Sequence, residues 1–188
     1  MAQKGNSTKA EGFTLLELVI VLAVIACLGA IATPVVAAYY AESALKITMC
    51  NICQTVKEAK TLALSSDQAY AVAFNTGNSS VSLVSDRGED GKWNTPDDQV
   101  ISSFKVAAKG GGLRFGYGAC GPIPGLAESD NGVTFQVNNS MVCNQDMTSN
   151  AGTVYLVNSQ GTAMALTANS SAAGYVQRRC SNGVWEKL

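Results

Sequence analysis

Six cysteines and no histidine define the chemistry open to this chain of 188 residues. Without imidazole the commonest general base and metal ligand is missing. No nucleophile motif or metal-ligand cluster takes its place, so a non-enzyme is expected. Cys50 and Cys53 stand at C-x-x-C spacing. No histidine follows Cys53, which excludes haem attachment, and a thioredoxin-like setting is missing. Packing, or a bond from one of the two to Cys180, is the expectation for this pair. Cys27 lies in an apolar run and should only pack. Cys120 and Cys143 bracket a stretch rich in Gly, Pro, Asn and Ser. A disulfide between Cys120 and Cys143 is predicted, since it would restrict that stretch.

Carboxylates gather in residues 86–98. Asp86, Asp90, Gly91, Asn94 and Asp97 fill the first, fifth, sixth, ninth and twelfth places of a calcium loop. Gly88 fails the third place, and Asp97 is shorter than the usual closing Glu. Asp86, Asp90, Asn94 and Asp97 are therefore a candidate calcium set. The plainer reading, which is favoured, is a polar connection that uses Asp and Gly for turns. No other cofactor is expected. Residues 116–121 spell G-x-G-x-x-G, but Pro122 and Pro124 follow where a dinucleotide fingerprint needs a helix. Arg178 and Arg179 form a small basic spot. A net charge of −1 gives no electrostatic footprint for nucleic acid. Two arginines also supply few phosphate contacts. Nucleic acid is not an expected partner.

Glu17 has a different setting. Residues 1–12 are polar and hold Lys4 and Lys9, whereas residues 13–40 contain one charge, Glu17. The uncharged stretch 18–38 is long enough for a spanning helix, which needs about 20 residues. The preceding lysines put the amino end on the cytoplasmic side and translocate the remainder. The stretch is too long for a secretory signal peptide and lacks a small-x-small cleavage site after it. A plain signal anchor is the bland alternative. Glu17 argues against it, because a carboxylate at the centre of a spanning helix costs about 2.5–3.5 kcal/mol, and less near the interface. Such a group needs a partner. Cleavage after Gly12 would give Phe13 a free α-amino group, a positive charge within reach of Glu17 on a neighbouring helix.

Gly12-Phe13-Thr14-Leu15-Leu16-Glu17 resembles the prepilin peptidase motif of type IV pilins and type II secretion pseudopilins. Pro34 falls where many members of that family have a helix-breaking proline. The resemblance implies processing between Gly12 and Phe13, N-methylation of Phe13, and an assembly role for Phe13 and Glu17. It also implies prepilin peptidase, homologous subunits and an inner-membrane assembly platform as partners. The implied location is the inner membrane, single-pass, with the C-terminal domain in the periplasm. Residues 132–135, 152–161 and 174–178 are similar to body motifs of the H-type minor pseudopilin of type II secretion and of T-type minor pilins. A minor pseudopilin is the first expectation, and a minor type IV pilin, serving adhesion, motility or DNA uptake, the second. Some T-type minor pilins bind DNA through an arginine-bearing segment, but Tyr175 stands here where that pattern has arginine.

The elements behind these residues follow from periodicity. Leu45, Met49, Ile52, Val56, Ala59 and Ala63 recur at steps of three and four, an apolar stripe on one helix face. Glu42 and Lys46 lie one turn apart and can pair. A helix from residue 13 to about 66 would be roughly 80 Å long at 1.5 Å per residue. Beyond it the runs 69–75, 80–85, 99–107, 113–117, 132–137, 153–158, 162–167 and 175–180 read as short strands. The predicted class is α+β, a long N-terminal helix packed on a C-terminal antiparallel domain of two sheets, pilin-like. The expected divisions are leader 1–12, transmembrane and assembly half 13–39, amphipathic half 40–66 and β-rich domain 67–188.

Overall fold

Helix α1 (Leu15–Ser66) spans 52 residues, and the residues at its start explain where it begins. The computed structural model describes residues 14–170 and 174–188. Thr14 precedes the helix, and its Oγ1 accepts the Glu17 backbone N–H at 3.3 Å. That satisfies one of the orphan donors of a first helical turn. Thr-x-x-Glu is also the spacing of a capping box, and an acid in the first turn complements the positive end of the helix dipole. Further along, Pro34 removes one backbone donor from the ladder, while the neighbouring Thr33 hydroxyl donates to the Gly29 carbonyl at 2.7 Å. The chain divides into two compact units, Met1–Ala37 and Ala38–Leu188, and α1 contributes to both.

Within the second unit α1 buries one face. All six residues of the expected stripe, Leu45, Met49, Ile52, Val56, Ala59 and Ala63, are buried. Among the described residues nine strands follow: β1 (Tyr70–Asn75), β2 (Ser80–Asp86), β3 (Gln99–Lys105), β4 (Arg114–Phe115), β5 (Ser140–Cys143), β6 (Gly152–Val157), β7 (Ala163–Ala168), β8 (Tyr175–Ser181) and β9 (Val184–Lys187). They form a four-stranded sheet of order β3-β2-β1-β5 and a five-stranded sheet of order β4-β6-β7-β8-β9. Every pairing is antiparallel. The result is one long helix on two antiparallel sheets.

Alternation along each strand sorts the side chains. Val72, Phe74, Leu83 and Met141 of the first sheet share one core with the helix stripe and with Val154, Leu156, Met164 and Leu166 of the second. Phe74 sits at the junction, stacked on Phe135 at 5.6 Å and edge-on to Phe115 at 6.4 Å. The opposite faces are covered too, mainly by loop residues. Trp93 closes over Ala71, Ala73 and Val84, and Ile123, Leu126 and Trp185 cover Tyr155 and Ala165. Close approach requires glycine at Gly111, where φ is 69° and a Cβ would lie 2.9 Å from the Ala41 Cα on α1.

Several expected strands change. Residues 132–137 form no strand; Val133 and Val137 make only isolated bridges, to Val154 and Ser140. Phe135 turns into the core, and Asn138 and Asn139, at φ 47° and 55°, reverse the chain into β5. Neither β5 nor β9 was among the expected runs. The expected run 99–107 stops at Lys105, where a 3₁₀ turn, Val106–Lys109, takes over, and 113–117 keeps only two strand residues.

Candidate functional site

Gly12 and Phe13, the expected processing site, lie outside the described residues. The apolar residues beyond them do not. Leu15 is 81% exposed and Ile31 71% exposed, and no residue from Thr14 to Ala37 is buried. So wide an apolar surface calls for lipid or a neighbouring apolar helix. Glu17 lies at the amino end of this surface. Among the described residues the ion pairs join Glu42 to Lys46 and Arg179, so Glu17 has no cation partner there. Its backbone N–H is capped by Thr14.

In the second unit the helix and the second sheet are clamped by charge. Glu42 Oε1 accepts from Arg179 at 2.7 Å and from Lys46 at 2.9 Å. The Lys46 hydrogen bond, with the Arg179 guanidinium adding to it, holds the Glu42 carboxyl below its usual range. The basic spot seen in the sequence is therefore committed. Arg179 points to the helix, and Arg178, on the opposite face of β8, donates to the Thr167 hydroxyl at 3.2 Å. The Glu42–Lys46 half of the clamp was legible at one-turn spacing. Arg179 was not, because β8 lies far away in sequence.

The disulfide expectation needs correction. Cys120 bonds Cys180, not Cys143. Cys143 sits on β5, fully buried in the core beside the helix, and burial pushes its thiol up to about 11. Cys180 points to the opposite face of the second sheet, where it meets Cys120, Val157, Ala163 and Trp185. The loop from the 3₁₀ turn Gly118–Cys120 is thereby tied to β8, and Trp185 Nε1 adds a hydrogen bond to the Gly121 carbonyl at 3.2 Å. Since Cys180 is taken, neither Cys50 nor Cys53 bonds it. Both are free thiols, Cys50 exposed and Cys53 buried.

The candidate calcium residues do not converge. Among the described residues no three carboxylates or thiols gather as a metal site. Asp90 Oδ1 accepts the Lys92 N–H at 2.7 Å, and Asp97 Oδ2 accepts the Asp90 N–H at 3.2 Å. Asn94 Nδ2 donates to the carbonyls of Phe74 and Asn138. These side chains close turns and pin the loop that carries Trp93 across the first sheet. Asp98, outside the expected set, does the same work by accepting the Asn94 N–H at 2.6 Å.

Comparison with known proteins bears on the amino end. Residues 7–33 match the prokaryotic N-terminal methylation motif, which supports the resemblance drawn from Gly12 to Glu17. No curated protein matches the chain. Among solved structures, the minor pseudopilin EpsH from the type 2 secretion system of Vibrio cholerae is similar at 13% identity and a TM-score of 0.43. That likeness covers 77% of this chain and 95% of the other, and it is too loose to transfer any residue's role. In its methylation motif, and in a long helix set on two antiparallel sheets, the chain is pilin-like.

Proposed function

We propose that this chain is a structural subunit of a type IV pilin-class filament, held in the inner membrane by the first part of α1 until it assembles. Pilin-like chains are building blocks and not enzymes. The observation that carries the proposal is the methylation motif at residues 7–33 running directly into a helix segment whose apolar side chains are all exposed. Cleavage after Gly12 would free the Phe13 amine. That amine would neutralise Glu17 of an adjacent subunit, because an unpaired charge among packed apolar helices is expensive. Leu15, Leu16 and the aliphatic residues beyond them would supply the packing surface. Prepilin peptidase, homologous subunits and an inner-membrane assembly platform would be its partners.

Within that class, a minor pseudopilin of type II secretion is the reading favoured by the body motifs at 132–135, 152–161 and 174–178. A minor type IV pilin is the alternative, separated by whether deletion abolishes protein secretion or pilus function. For the class itself, mass spectrometry of the mature N-terminus should find N-methylphenylalanine at Phe13. An intact chain that keeps its first twelve residues would overturn the proposal. Glu17→Gln should fold and insert normally yet fail to enter filaments, as read by cross-linking of neighbouring subunits.

A further inference from the structure

Cys50 and Cys53 stand three residues apart on α1 and line one groove of about 450 Å³ in the second unit. Met164 of β7 and Tyr175 of β8 line the same groove. The ladder explains their convergence: Met164 pairs with Arg179 and Ala168 with Tyr175, and alternate residues of a strand share a face. Cys53 and Met164 belong to the same buried cluster, and the Tyr175 ring packs against it. Three sulfur-bearing residues therefore line one opening, two on the helix and one on the sheet.

We propose that this groove binds a soft, thiophilic cation of low coordination number, copper(I) in class, through the Cys50 and Cys53 thiolates with the Met164 thioether as third ligand. A disulfide is the obvious competitor, and distance decides against it. Helical residues three apart hold their Cβ atoms about 5–6 Å from each other, whereas a relaxed disulfide needs about 3.5–4.5 Å. Two metal–thiolate bonds of about 2.3 Å each span up to about 4.6 Å between the sulfurs, a separation the helix accommodates more readily. Thiolate and thioether donors select copper(I) over harder cations. Zinc prefers a closed set of four donors, which the described residues do not assemble here.

Charge balance is also met. Binding breaks two S–H bonds, releases two protons and forms two sulfur–metal bonds without any change of oxidation state. Two thiolates and one monovalent cation leave a single negative charge. Lys57 borders the same groove and offsets that charge, while Lys46 and Arg179 at its rim are already paired with Glu42. Tyr175 lines the same groove, which places it as the outer neighbour of the sulfur ligands.

The test uses copper(I) and silver(I) on the full chain in detergent, with Cys27→Ser removing the exposed thiol of the first unit. Anaerobic competition against a chromogenic copper(I) chelator should find one metal per chain, lost in Cys50→Ser. Met164→Leu and Tyr175→Phe should each weaken binding by about tenfold or more. Because Cys50 is exposed, its replacement should leave metal-free thermal unfolding unchanged. Silver should raise the unfolding midpoint only in the chain that keeps Cys50. Equal binding by the Cys50→Ser chain overturns the proposal. So does a Cys50–Cys53 disulfide in unreduced protein, or displacement of copper by an equal amount of zinc.

Discussion

Both parts of α1 carry large apolar residues, but these have opposite surroundings. Leu15 and Ile31 are 81% and 71% exposed, whereas Leu45 and Ile52 are 1% and 0% exposed. What separates them is the pattern of the interruptions. Beyond Glu17 the first part has no polar face, so every direction around the helix asks for an apolar neighbour. In the second part Glu42, Lys46, Gln54, Lys57 and Glu58 interrupt the apolar residues, leaving one stripe that a single domain can cover. A helix apolar all round needs lipid or other helices; a striped one needs only its own body.

That contrast can be broken from the body side. Replacing Cys180 with Ser opens a loop closed across 60 residues, and the chain-entropy model puts the loss at about 4 kcal/mol. Chemical denaturation should show the second unit destabilised by that order. Circular dichroism in detergent should still report the helix of residues 15–37. Melting of both together would mean that the two parts are not separately supported.

A matched pair of truncations sharpens it. Ile52→Ala should cost about 3 kcal/mol, because it empties a fully buried position. Ile31→Ala should change the same unfolding free energy by less than about 0.5 kcal/mol, its effect appearing only in filament assembly. Comparable losses at both sites would remove the distinction.

Two pH effects are smaller. The Cys143 thiol is pushed by burial up to about 11 from 9.0. A raised pKa in the folded state favours the protonated form, so this stability is complete below pH 9.0 and lost as pH rises through about 11. Cys143→Ala should flatten that alkaline limb of the stability curve. The smallest effect belongs to the clamp. The Glu42 carboxyl is held below its usual value, so its contribution is present above the ordinary carboxylate range and disappears as pH falls through the lowered value. With the pair partly exposed to screening solvent, Glu42→Gln should cost below about 1 kcal/mol.

Much of the architecture was legible because it is local. The helix stripe from Leu45 to Ala63 repeats every three or four residues, and most strands are runs of six or seven residues bounded by turn residues. Where local signals were weak or overruled, expectation failed. Residues 132–137 looked like a strand, but Phe135 was drawn into the core against Phe74. β9 did carry a signal, the Asn182-Gly183 hairpin dipeptide with φ 51° and 78°. β5 carried none: four residues, Ser140–Cys143, become a strand because β1 offers them an open edge.

By itself the sequence determined the methylation motif, the apolar helix segment with its single acid, and the existence of a helix backed by β structure. Each is written in neighbouring residues and their periods. Only the tertiary structure decided that Cys120 meets Cys180, that Arg179 reaches Glu42, and that Met164 and Cys53 line one groove. Those choices depend on which strands pair and which sheet face each side chain takes. Shifting a strand's register by one residue reverses every face, so contacts between distant segments wait on the complete assembly of the sheets.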